Sequence, residues 1–138
     1  MKIVIFINLI LLGFIFGCSG QDKVISQEEF LSHFKSSLVE QGVEVEQRAE
    51  SKSNVIKDKM VIPFAVSPSE KHPDGISVFV FDSSKEAKKA MREAQISVTT
   101  ETRVREYRNK NIVVFYYMND IILPKYEKEV EKAVKSLK

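Results

Sequence analysis

The sequence predicts an α+β domain ordered α-β-β-α-β-β-α, a mostly antiparallel four- or five-stranded sheet with helices packed chiefly on one face. Three observations predict it. Two amphipathic runs each open on a capping box, Ser26 with Glu29 and Ser83 with Glu86. Two apolar runs, 76–81 and 112–118, have the length and content of central strands. The turn residues Asn109, Lys110 and Asn111 stand between two β-prone segments and make them a hairpin.

The first helix begins after Ser26. Phe30, Leu31, Phe34 and Leu38 recur at helical spacing on one face, Ile25 is placed to staple onto Phe30, and Gly42 is a C-terminal stop. Val43 and Val45 alternate with Glu44 and Glu46, the start of a strand, and 48–54 is polar and reads as loop. Residues 59–66 read as a strand with Met60, Ile62, Phe64 and Val66 on one side. Pro63 has no amide hydrogen, which places this strand at an edge or at a bulge.

Residues 67–75 hold Pro68, Pro73, Asp74 and Gly75 and form a loop with a turn. The second helix follows Ser83, with Ala87, Ala90, Met91 and Ala94 on its inner face, small enough to lie close to a sheet. Residues 99–108 and 112–118 are the hairpin strands. Asp120 is the expected cap of the last helix, with Pro124 in its first turn and Tyr126, Val130, Ala133, Val134 and Leu137 facing inward. Lys125 with Glu129 and Glu131 with Lys135 pair at i,i+4 on its outer side.

Residues 3–16 are apolar except for Asn8, follow the cation Lys2, and end at Gly17 and Cys18, the only cysteine. A positive start, a short apolar core and a small residue at the cut constitute an export signal. A membrane-crossing helix needs about 20 apolar residues, and this run turns polar at Ser19. Ile15, Gly17 and Cys18 make the segment resemble a bacterial lipoprotein signal, the lipobox. The resemblance implies cleavage before Cys18, diacylglycerol on its sulfur and acylation of the new amine. Two or three acyl chains hold a protein stably on a bilayer, where one is marginal. An uncleaved helical anchor and a plain export signal are the other readings, and under either Cys18 is only a small apolar residue.

The expected organisation is a signal peptide over 1–17, a lipidated cysteine with a short polar tether over 18–25, and one domain over 26–138. Removal of Lys2 with the signal leaves 20 basic against 19 acidic side chains, too even a balance to imply a polyanion partner. Once Cys18 is acylated no thiol remains, which excludes disulfides, thiolate catalysis and cysteine metal sites. The soluble part also resembles small bacterial lipoproteins of unassigned function. The matching pieces are Gly42-Val43-Glu44-Val45, Pro63-Phe64, Val78 to Asp82, and Asn111 to Tyr117. They imply a fold and a place on the outer face of the cell membrane, and no reaction.

Candidate chemistry is sparse. His33 stands beside Phe34 and reads as a partly exposed structural residue. Glu70, His72 and Asp74 offer oxygen and nitrogen ligands but crowd one flexible loop, so no metal site is expected. No nucleophile elbow and no glycine-rich phosphate loop occurs, and neither catalytic residues nor a cofactor are expected. Arg103, Arg105, Tyr107 and Arg108, with Lys110, form the densest basic cluster, and alternation puts Arg103, Arg105 and Tyr107 on one strand face. Tyr107, Tyr116, Tyr117 and Tyr126 read as core and edge residues rather than a groove lining. The expectation is a non-enzymatic protein held to the membrane through Cys18, binding a protein partner or envelope component and no intracellular nucleic acid. The alternative is a module for an anionic ligand or polymer using the 103–110 hairpin.

Overall fold

A computed structural model describes residues 23–119 and 125–138. The chain runs α1 (Gln27–Glu40), β1 (Val45–Gln47), β2 (Ser51–Lys52), β3 (Met60–Val66), β4 (Asp74–Val80), α2 (Ser84–Glu93), β5 (Arg103–Asn109), β6 (Ile112–Met118) and α3 (Glu127–Lys135). The fold is α+β. One antiparallel sheet has the order β1-β3-β4-β6-β5, with β2 beside β3, six strands in all.

The sheet exceeds the expected four or five strands because its first edge is broken into two short pieces. β1 pairs Gln47 with Phe64, while β2 pairs Ser51 with Val61, a register displaced by one residue. Pro63 lies opposite the break. Arg48 donates its backbone N–H to the Pro63 carbonyl at 2.8 Å, and Pro63 has no N–H to return. A strand residue directs its N–H and C=O to the same side, so the missing donor faces the broken edge and the β3–β4 ladder is intact. Residues 51–52 of the segment read as loop therefore pair with β3. β3 is flanked on both sides, and of the two expectations for Pro63 the bulge-like interruption is the one realised.

Both capping boxes close on their serines. The Ser26 hydroxyl accepts from the Glu29 amide at 3.2 Å and the Ser83 hydroxyl from the Glu86 amide at 3.1 Å. At the far end of α1, Gly42 N–H donates to the Val39 carbonyl and Val43 N–H to the Leu38 carbonyl, both at 2.9 Å. This paired closure requires a left-handed residue, and Gly42 has φ +77°. Val43 and Leu38 are both buried beside it. The cap expected at Asp120, with Pro124, lies outside the described residues. Within them α3 starts after Tyr126, which makes no side-chain cap bond.

Two of the three helices share one face of the sheet. Phe30, Phe34 and Leu38 of α1 and Val130, Ala133 and Val134 of α3 bury against alternate residues of the sheet, among them Phe64, Val78, Val114 and Tyr116. Each large apolar side chain among them contributes about 1.5–3 kcal/mol by leaving water. α2 lies across the sheet, where Ala87, Ala90, Met91 and Ala94 meet Phe79, Val113 and Phe115. Ile25, expected in the tether, is 1% exposed and belongs to the α1–α3 core. The packed domain thus begins before residue 26. Among the described residues no helix is long and apolar enough to cross a membrane.

Candidate functional site

Cys18 lies outside the described residues, and the remaining candidates fall in separate places. Tyr107 is 8% exposed, its ring packed in the α1–α3 core and its hydroxyl donating to the Glu127 carbonyl at 3.3 Å. Burial, then the carboxylates of Glu127 and Glu131, push its phenol up to about 12. Arg105 forms an ion pair with Glu127 on that same side. Arg108 projects from the opposite face and donates to the Ser84 hydroxyl at 3.0 Å and the Lys110 carbonyl at 3.1 Å. Arg103 opens β5, paired with Met118. The four residues do not present one surface: Arg103 and Arg105 share a face of β5 with the buried Tyr107, and Arg108 lies on the other face.

Of the loop candidates, Glu70 and His72 line one cleft of about 360 Å³ with Lys125, and Asp74 lines a neighbouring one. Glu70 accepts from Lys125 at 2.8 Å. Asp74 accepts from the Tyr116 hydroxyl at 2.6 Å and the Asn119 amide at 2.8 Å. Burial, then the Asp74 hydrogen bond, hold the Tyr116 phenol well above its ordinary value. His72 is exposed. Among the described residues no three His, Cys, Asp or Glu side chains are placed to hold a metal ion. His33 Nε2 lies 2.7 Å from the Ser136 hydroxyl and ties α1 to the end of α3, a structural placement.

Two clefts open at one end of the sheet. The larger, about 510 Å³, lies between α2 and the turn that precedes β3. Ile56, Phe81 and Ala90 give it an apolar floor, and Lys57, Lys59 and Lys89 stand at its rim with Glu86 and Glu93. The Lys59 ammonium sits 4.6 Å from the centre of the Phe81 ring, close enough for cation–π attraction. The smaller, about 340 Å³, shares Lys59 and brings together Gln27 of α1, Met60 of β3 and Val80 of β4. Apolar floors with a few charged rim groups are the usual make-up of binding clefts.

Sequence reasoning missed Lys57, Lys59 and Lys89. Their one local signal is the Lys57-Asp58-Lys59 turn, where Asp58 adopts φ +56°; Lys89 reaches it only through the fold. The same end of the domain receives the incoming chain. Asn111, in the turn of the hairpin and fully buried, bonds both backbone groups of Ile25 and the carbonyl of Phe81. The point where the chain arrives from Cys18 and the floor of the larger cleft are thereby fixed to one side chain. No family model, no curated protein and no solved structure matches this chain.

Proposed function

We propose that this chain is a membrane-anchored extracytoplasmic lipoprotein, acylated on Cys18, whose folded domain is non-enzymatic and binds a protein partner or a component of the cell envelope. The observation that carries the reading is Ile15-Phe16-Gly17-Cys18 directly behind a short apolar run. The fold is compatible with it. Among the described residues the first in the core is Ile25, seven positions after Cys18. The clefts around Lys59 are the concave surface such binding would use.

The alternative, an anionic-polymer module built on the 103–110 hairpin, has weaker support. Tyr107 is buried, and Arg105 and Arg108 engage partners on opposite faces of the sheet. Growth of an expressing bacterium with an alkyne fatty acid tests the anchor. Wild-type protein should take up the label and Cys18→Ala should not. Equal labelling of both, or of neither, contradicts the proposal.

A further inference from the structure

The end of the domain that receives the chain from Cys18 carries an unusual combination of side chains. Four large apolar residues are prominently exposed among the described residues: Val24, Val39, Met60 and Val98. Two of them belong to this end. Val24, 49% exposed, directly precedes the Asn111-held Ile25. Met60, 47% exposed, opens β3 and lines the smaller cleft together with Gln27, which lies only three positions after Val24. Lys59 stands beside Met60 and joins the two clefts, with Lys57 next to it. Lys110 sits in the same hairpin turn as Asn111, whose side chain holds Ile25. Carboxylates are present as well, Glu50 and Asp58 in the smaller cleft among them, so charge alone does not make this a cationic patch.

Geometry supplies the occupant. The six steps from Cys18 to Val24 reach at most about 22 Å when extended, at about 3.3–3.6 Å each. A domain on such a leash keeps this end within about three Debye lengths of the anchoring surface at physiological salt. Half-exposed apolar side chains gain by entering the boundary between headgroups and acyl chains, and lysines beside them reach phosphates while their stems stay apolar.

We propose that this end is a lipid-contacting surface: Val24 and Met60 enter the interface of the bilayer that holds Cys18, with Lys57, Lys59 and Lys110 over its anionic headgroups. The proposal rests on the lipid-anchor reading and adds an orientation to it. The domain does not swing freely on its tether. α1 stands away from the bilayer, with Val39 about 18 Å further along its axis than Gln27.

The test uses acylated full-length protein in vesicles of phosphatidylcholine with and without phosphatidylglycerol. A fluorophore is placed at Lys52→Cys, on the strand residue paired with Met60, or at Val39→Cys, and quenched from lipid-borne nitroxides. Position 52 should be quenched several-fold more than position 39, more so with phosphatidylglycerol. Val24→Ser with Met60→Ser should collapse the difference. Each nearby lysine lost near an anionic surface weakens attraction by roughly fivefold, so Lys57→Gln with Lys59→Gln should remove most of the phosphatidylglycerol increment and leave only the share of Lys110. Equal quenching at the two positions, or a difference that survives Val24→Ser with Met60→Ser, overturns the docking. Intact mass is read on the same sample. Protein without acyl chains defeats the anchor and the docking together; acylated protein with equal quenching defeats the docking alone.

Discussion

Asn111 and Ile25 exchange two hydrogen bonds across 86 positions of sequence. The Ile25 N–H donates to Asn111 Oδ1 at 2.8 Å, and Asn111 Nδ2 donates to the Ile25 carbonyl at 2.9 Å. Nδ2 also donates to the Phe81 carbonyl at 2.8 Å. One buried amide therefore satisfies backbone groups of the segment before α1 and of Phe81, the residue that follows β4. Asn111→Ala strands these groups, and each unsatisfied buried polar group costs about 1–3 kcal/mol. A loss of about 3 kcal/mol in urea unfolding is expected on that scale. Asn111→Asp, which turns a carboxylate oxygen toward two carbonyls, should be at least as damaging.

Gly42→Ala isolates a backbone effect. Gly42 has φ +77°, and a Cβ there would meet nothing within 4 Å. A left-handed L-residue costs about 1–2 kcal/mol. Denaturant midpoints should fall accordingly, with an unchanged unfolding slope, because no packing is disturbed.

Alkaline pH should destabilise the domain through its buried phenols. Tyr107 is held at about 12, against the ordinary 10.0 of a tyrosine. Between these values the unfolded chain has released the proton and the folded chain keeps it. Stability is therefore complete below about pH 10 and falls as pH rises toward 12, by about 1.4 kcal/mol per unit for each such group. Tyr116 acts in the same sense. Urea titrations from about pH 9 to about pH 11 should show this slope, and it should be shallower in Tyr107→Phe.

Arg105→Ala should change stability by less than about 0.5 kcal/mol, because its ion pair with Glu127 lies in water-accessible surroundings. Asn109→Ala should cost more, about 1 kcal/mol or above. Its Nδ2 donates to the carbonyls of Val134 and Leu137, at 2.7 and 2.8 Å, and fastens the end of α3 to the hairpin. Paired thermal melts separate the two.

Local chemistry made much of this fold legible in the sequence. The serines at 26 and 83, the glycine at 42 and the 109–111 turn act within a few residues of themselves, and each is found in its expected role. β2 was hidden because two exposed polar residues carry no alternation. The alanine face of α2 announced close packing, but spacing alone does not say which side of a sheet a helix takes. The cleft escaped notice for a similar reason: Lys57 and Lys59 meet Lys89 only after β3, β4 and α2 are in place. The hairpin arginines had a visible local density, but Tyr107 of that cluster is buried in the core and strand alternation sets Arg108 on the opposite face from Arg105.

The anchor at Cys18 is the premise of both functional proposals, and one measurement bears on it most directly. Intact mass and membrane fractionation should be compared for wild type and Cys18→Ala. The account predicts a mature wild type that starts at Cys18, is heavier by its acyl chains and sediments with membranes, while Cys18→Ala lacks the added mass. A wild type that keeps residues 1–17, or begins elsewhere without acyl chains, would contradict it.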